Sequence, residues 1–322
     1  MIQSNYPISI VLPARNECSG LRDLLPCLVA RFPDAEIIVV DDGSTDDTVA
    51  VCQEHGARVV SHPYSMGNGA AIKTGARSAR GRVIVFMDAD GQHDAEDIPR
   101  LLQKLDEGYE MAVGARVART HASPQRRFAN AFYNRLASAM TGHRIEDLTS
   151  GFRAVRARHF HKFIYLLPNG FSYPTTSTMA FFRSGFPVAY VPIHTRQRYS
   201  AEASKIRWFK DGLRFLVIIL KIGALFSPMR LFLPIGGFLF LMGICYYGYT
   251  YFTDGRFTNM SALLFLSSLF TFLIGILSEQ VSSLHYKYEA DDQRRTRRGK
   301  NEFGRKIQSV SSVGRPGKAA RS

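Results

Sequence analysis

The sequence predicts an α/β fold: a mostly parallel sheet with helices on both faces, followed by an interfacial amphipathic helix and a two-helix transmembrane hairpin. Three observations carry this. Short β-branched runs alternate with helical stretches through the first half of the chain. Charges in 205–225 recur at intervals of three, four and seven. Two C-terminal stretches, 231–252 and 259–278, contain no charged residue.

In order, 8–12, 36–40, 58–61, 83–87 and 110–113 read as strands, and 19–31, 45–55, 69–78 and 97–107 as helices. Ser44 with Asp47 reads as a capping box opening the second helix. Strand–helix alternation implies parallel strands covered by helices. Ligands of such sheets bind beyond the carboxyl ends of the strands. Acids collect there: Asp41 and Asp42 end the second strand, Asp88 and Asp90 the fourth.

After Ser204 the pattern changes. Arg207, Lys210, Asp211, Arg214 and Lys221 share one helical face, opposite Ile206, Phe209, Leu213, Leu216, Val217 and Leu220. A basic amphipathic helix with Trp208 near its start suits the plane of a membrane interface; packing on the preceding domain is the competing reading. The two uncharged stretches are each about twenty residues, the length that crosses a hydrocarbon core. Arg230 and the basic tail flank their outer ends, which places both termini and the N-terminal domain in the cytoplasm by the positive-inside rule. The expected division is a cytosolic catalytic domain over 1–203, a juxtamembrane helix over 204–228, two spans within 229–285 (231–252 and 259–279) and a disordered basic tail over 286–322.

The net charge of +14 calls for an anionic partner. Much of the excess lies in the tail and before the apolar region, which favours an anionic membrane surface over nucleic acid. Cys18, Cys27, Cys52 and Cys245 form no metal-ligand spacing and read as reduced thiols. The first apolar run, 8–12, is too short for a signal-peptide core, so the inner cell membrane with a cytoplasmic catalytic domain is the expected location. Homo-oligomerisation is left open.

The strongest chemical signal is Asp88-Ala89-Asp90-Gly91-Gln92 after a strand. Two carboxylates one residue apart can share a hard divalent cation, Mg²⁺ or Mn²⁺, and the Gln92 amide oxygen extends the same donor set. A nucleotide diphosphate would complete the coordination. The second signal is Asp41-Asp42-Gly43-Ser44-x-Asp46, in which Asp42 is placed to accept from a ribose or base, while Ser44 and Asp46 suit turn chemistry. Pro13-Ala14-Arg15-Asn16-Glu17 follows the first strand, with Glu17 a nucleotide contact. Gly67-Asn68-Gly69 before Lys73 is either a phosphate loop or a helix cap.

These blocks, in this order over residues 7–115, resemble the family 2 glycosyltransferases of the GT-A, Rossmann-like fold. Gly114-Ala115-Arg116, Asp147-Leu148-Thr149-Ser150-Gly151-Phe152-Arg153 and Ser204-Lys205 are similar to the dolichyl- and polyprenyl-phosphate branch, extending the resemblance to about residue 285. The resemblance implies nucleotide-sugar contacts from Pro13, Glu17, Val40, Asp42, Asp88, Ala89, Asp90 and Arg116. It implies metal and diphosphate contacts from Asp88, Asp90 and Gln92. Arg116, Arg198 and Lys205 would hold donor and acceptor phosphates, with Arg196 a rival to Arg198. It also implies a UDP- or GDP-linked donor, a polyprenyl phosphate acceptor and inversion at the anomeric carbon.

A lipid phosphate is already a dianion near neutral pH and needs cations for positioning more than a base. Arg116, Arg127, Arg198 and Lys205 could supply them, with Asp147 orienting the acceptor or capping its own loop; Arg126 and Arg127 are equally open to a solvated helix face. A polysaccharide synthase would want a Q-x-x-R-W motif, and Trp208 follows Ile206-Arg207 without one. A nicotinamide dehydrogenase would want G-x-G-x-x-G after the first strand, where Pro13-Ala14-Arg15-Asn16-Glu17 sits instead. A non-catalytic membrane scaffold is opposed by intact Asp88, Asp90 and Gln92.

Overall fold

The structure is a computed structural model, described for residues 6–116, 124–170, 172–195, 217, 220–221, 223–224 and 228–282. The chain divides into two compact units, Met1–Arg230 and Leu231–Ser322.

In the first unit, strands β1 (Ile8–Ala14), β2 (Glu36–Asp41), β3 (Arg58–Ser61), β4 (Val83–Phe86), β5 (Met111–Arg116), β6 (Arg153–Arg156) and β7 (Val188–Ile193) form one sheet. Its order is β3-β2-β1-β4-β6-β5-β7. The pairings β3–β2, β2–β1, β1–β4 and β5–β7 are parallel. β6 runs antiparallel to both its neighbours, β4 and β5, which makes the sheet mixed. The reversal has a positional consequence: β6 begins at the edge where β4 and β5 end, with Arg153 opposite both Phe86 and Val113.

Helices cover both faces. On one lie α1 (Cys18–Arg31), α2 (Thr48–Glu54) and α4 (Ile98–Asp106). Ile98, Leu101, Leu102 and Leu105 give α4 a single apolar stripe, which meets Val85, Ala112 and Ala154 in the core. Fully buried side chains such as Leu12, Leu21, Leu25 and Leu28 each contribute about 1.5–3 kcal/mol by leaving water. The opposite face carries α3 (Asn68–Ser78), α6 (Ala157–Phe163) and α7 (Tyr173–Arg183), with the Phe160 ring tilted by 43° against Phe86 at 4.8 Å. A further helix, α5 (Pro124–Thr141), connects β5 to the 142–152 loop.

Because its buried positions are Gly69, Ala70, Ala71, Ile72, Gly75 and Ala76, α3 lies very close to the sheet. A Cβ on Gly75 would sit 2.2 Å from Val11 Cγ1 and 3.1 Å from Val40 Cγ2.

The expected capping box does not form. Ser44 turns its hydroxyl to the Asn16 amide (3.0 Å), and it is Asp46 that accepts from the Thr48 amide at the start of α2 (3.1 Å).

In the second unit, α8 (Pro228–Asp254) and α9 (Asn259–Ser282) are long and apolar enough to cross a membrane, with mean hydropathies of 1.7 and 2.2. They are tied where a small residue lets backbones approach: Ser268 Oγ donates to Gly236 O at 2.9 Å, and Phe240 packs on Phe265 at 5.6 Å. Most other large side chains here face outward, including Phe238, Leu241, Leu263, Phe270 and Leu277, as in a lipid-facing hairpin and unlike a soluble core. Most of the expected amphipathic helix and all of the basic tail lie outside the described residues.

Gly75→Ala is expected to cost about 1–3 kcal/mol through overpacking against Val11. Urea denaturation of the full-length protein measures this, and an unchanged midpoint would show that α3 can shift.

Candidate active site

The carboxyl ends of β1, β2, β4 and β5 and the start of β6 share one edge of the sheet. The loops leaving that edge are joined mainly by side-chain oxygens bonded to backbone amides. Asn16, at φ 55°, accepts from the Thr45 amide at 2.8 Å. Thr48 Oγ1 accepts from the Glu17 amide at 3.1 Å, and Asp46 Oδ2 from the Cys18 amide at 3.3 Å. The loops after β1 and β2 are therefore one piece, and Ser44 and Asp46 perform the turn chemistry expected of them.

Asp42, expected as a nucleotide contact, is also bonded within its own fold. Its carboxylate, 4% exposed, is bonded to His62 Nδ1 (2.8 Å), Ser65 Oγ (2.8 Å), the Met66 amide (2.7 Å) and the Gly67 amide (2.9 Å). Burial pushes its pKa up, but these bonds outweigh that and hold it below the usual carboxylate value. Asp42 is the anchor of the β3–α3 loop, and its oxygens are turned to that task.

The glycine loop is likewise a packing device. Gly67 has φ 99°, and a Cβ on Gly69 would stand 2.0 Å from Pro168 O. Lys73 donates to Leu167 O (3.2 Å) and to Asn169 Oδ1. The loop and its lysine grip the 167–170 segment.

Asp88 follows β4 with its side chain 35% exposed. Asp90 is buried, and its Oδ1 accepts the Gln92 amide at 3.1 Å. His93 stacks on Phe152 (5.0 Å) and brings Nε2 to 3.4 Å from Asp88 Oδ2. Gly151 borders the same carboxylate: a Cβ there would lie 2.9 Å from Asp88 Oδ2. Only glycine leaves Asp88 this space.

Arg116 ends β5 and makes a two-pronged pair with Asp147, Nε to Oδ2 at 2.8 Å and Nη2 to Oδ1 at 3.0 Å. Asp147 Oδ1 also accepts from the Thr149 amide (3.0 Å) and the Ser150 amide (3.1 Å). Burial opposes its ionisation, yet Arg116 and the loop amides keep its pKa below the ordinary value. Asp147 thus both caps its loop, as one sequence reading had it, and fixes Arg116 beside Asp88.

Of the other expected residues, Pro13 is half-buried in β1, and Glu17 opens α1. Val40 and Ala89 are 0% and 2% exposed, with their side chains in the core. Any part they take at the crevice is through their backbones. Arg127 lies on α5 with its side chain outside the description; Arg196, Arg198 and Lys205 lie outside the described residues. Sequence reasoning did not single out Gly151, Arg153 or Tyr173, although two of them stand inside the quoted 147–153 motif.

With this geometry in place, the comparisons agree. Residues 9–164 match the glycosyl transferase family 2 model, and 227–284 match the GtrB C-terminal hairpin. The chain thus carries a glycosyl transferase family 2 domain followed by a GtrB C-terminal hairpin. It is 29% identical to an undecaprenyl-phosphate 4-deoxy-4-formamido-L-arabinose transferase of Shewanella sediminis, over 86% of this chain and 88% of that one. The Enterobacter sp. protein of the same name is 32% identical over 53% of this chain, which spans 58% of that protein. An uncharacterized glycosyltransferase of Mycobacterium tuberculosis is 39% identical over 34% of this chain and 48% of its own length. This chain thus spans about half the length of these last two relatives. Among solved structures, glucosyl-3-phosphoglycerate synthase of Mycobacterium tuberculosis, in complex with Mn²⁺ and UDP-glucose, shares the fold. It aligns at TM-score 0.53 and 22% identity over 68% of this chain and 79% of that one.

Asp42→Asn is expected to cost about 1–3 kcal/mol near pH 7, because one acceptor oxygen for the 62–67 loop is lost. A depressed folded pKa means this stability is present above the unfolded pKa and lost as pH falls through the folded one. The gap between wild type and variant should therefore close below about pH 3.9. Urea denaturation at pH 7, 5 and 3 checks this; a gap independent of pH would remove the charge from the account.

Proposed function

We propose that the chain moves a glycosyl group from a UDP- or GDP-linked sugar to a polyprenyl phosphate at the cytoplasmic face of the cell membrane, with a divalent cation and inversion at the anomeric carbon. The observation that carries this reading is the meeting of Asp88, Gly151 and the Arg116–Asp147 pair at one sheet edge. The polyprenyl acceptor is supported by the named activity of the Shewanella and Enterobacter relatives and by the apolar hairpin. A nucleotide-sugar donor and a divalent cation are supported by the complex of the structural neighbour.

The donor set fits such a cation. Asp88, Asp90 and the Gln92 amide offer hard oxygens, and the gap kept open by Gly151 stands directly over Asp88. Among the described residues no group of three or more His, Cys, Asp or Glu could form a closed metal cage. A cation of this type draws its remaining ligands from phosphate and water. When bound, Mg²⁺ or Mn²⁺ neutralises the charge that develops on a departing diphosphate.

In this mechanism a phosphate oxygen of the acceptor bonds to the anomeric carbon as the opposite bond to the nucleotide diphosphate breaks, and the diphosphate leaves with the electron pair. The acceptor arrives as a dianion, so no side chain must remove a proton. Two anions must nevertheless approach each other. Arg116 keeps 40% of its side chain exposed while paired, and that guanidinium edge is available to an arriving phosphate. Asp147 holds the guanidinium in place, and Arg127, Arg198 and Lys205 are assigned to the acceptor phosphate. The apolar hairpin would anchor the chain in the membrane that holds the lipid acceptor.

Membranes containing the protein, Mn²⁺, a polyprenyl phosphate and a panel of labelled nucleotide sugars should pass label from one donor into the organic phase. Asp88→Asn and Asp90→Ala should each reduce this by about a hundredfold or more. Label appearing only in polymer would instead establish a polysaccharide synthase, and no transfer from any donor would favour a non-catalytic scaffold.

A further inference from the structure

Among the described residues Arg153 is the largest fully buried side chain, at 0% exposure, yet no carboxylate among them pairs with it. Its Nη1 donates to Pro174 O (3.1 Å), Ser177 Oγ (2.7 Å) and Thr178 Oγ1 (3.1 Å), and its Nη2 to Ser150 O. The Tyr173 ring lies 5.5 Å from Cζ, in cation–π range, and Nε has no partner among the described residues. A hydrocarbon side chain of similar volume would fill this space at lower cost. What it could not do is tie a carbonyl of the 147–151 loop to the first turns of α7.

Tyr173 makes the matching bond. Its hydroxyl donates to Gly151 O at 2.7 Å, so the carbonyls of two successive residues, Ser150 and Gly151, are both held from beneath by buried side chains. Burial pushes the Tyr173 phenol above its ordinary pKa, which keeps it a donor. From the other end, Asp147 takes the Thr149 and Ser150 amides. The loop so clamped is the one whose Gly151 borders Asp88.

We propose that Arg153 and Tyr173 are positioning residues, a buried bracket that sets the Ser150–Gly151 backbone as the wall against which Asp88 is aimed at the cation and diphosphate. This rests on the reading of Asp88 as a metal ligand given above. Neither residue touches the reacting groups. Their effect passes through the two peptide units that flank the Gly151 Cα, and it reaches the donor side of the reaction before the acceptor side.

The test uses full-length protein in detergent micelles and measures Mn²⁺ binding by the loss of free-ion paramagnetic signal, in the presence of UDP and, separately, GDP. Three variants are compared with wild type. Asp88→Asn is the control and should abolish binding. Tyr173→Phe removes one hydroxyl at constant shape and should weaken Mn²⁺ binding about tenfold, with a rise in donor KM larger than the change in kcat. Arg153→Lys keeps the charge but loses the fork and should weaken binding by the same factor or more. Should Arg153→Lys fail to fold, Tyr173→Phe alone decides. If the variants lower the thermal midpoint but bind Mn²⁺ like wild type, the bracket is merely structural and the proposal fails. If Asp88→Asn itself binds normally, the metal-site reading fails instead, and the two failures are distinguishable.

Discussion

The reversed direction of β6 is the constraint on which the rest of this catalytic edge depends. In a wholly parallel sheet only carboxyl ends would face the crevice, and each would lead away into a helix. By running backwards between β4 and β5, β6 brings the segment before its first residue to the same edge. That segment carries Asp147, Thr149 and Gly151. It thereby meets Asp88 from β4 and Arg116 from β5 without any long loop.

The edge is held together by one recurring type of bond: an oxygen side chain accepting backbone amides. Asp42 anchors the loop after β3, Asp147 the loop before β6, Asp46 and Thr48 the loop after β1, and Asp94 the turn at Glu96. Such bonds fix loop backbones without long side chains, and at Asp42, Asp46 and Asp147 they favour the ionised form. Several acids are thus kept charged within a small region. An edge of that sign suits a cation, as the proposed function requires, with Arg116 as the local counterweight for anions.

The five strands over the first half were legible because each centres on apolar residues bounded by polar turns. β6 was not, because Arg-Ala-Val-Arg places a guanidinium at each end of a four-residue strand and imitates an exposed loop. Arg153 belongs to the interior only because Ser150, Pro174, Ser177 and Thr178 meet it there, and none of those meetings is visible in local sequence. β7 is apolar enough to read as a strand, but its place beside β5 is a matter of topology. At the site, Asp88, Asp90, Arg116 and Asp147 could be named from motif and strand position. The use of Asp42 could not, since an acid after a strand looks the same whether it faces a ligand or its own neighbouring loop. The hairpin was the plainest feature, because length and absence of charge need no tertiary information.

The anchoring by Asp42 bears on which positions of the 62–67 segment tolerate exchange. Replacing that aspartate would unmoor the segment as a whole. Tyr64 and Met66 project outward from the same segment, 67% and 39% exposed, and the Asp42 bonds engage neither side chain. The scaffold therefore separates a fixed stem from interchangeable tips, and sequence variation has its freest ground at those two positions.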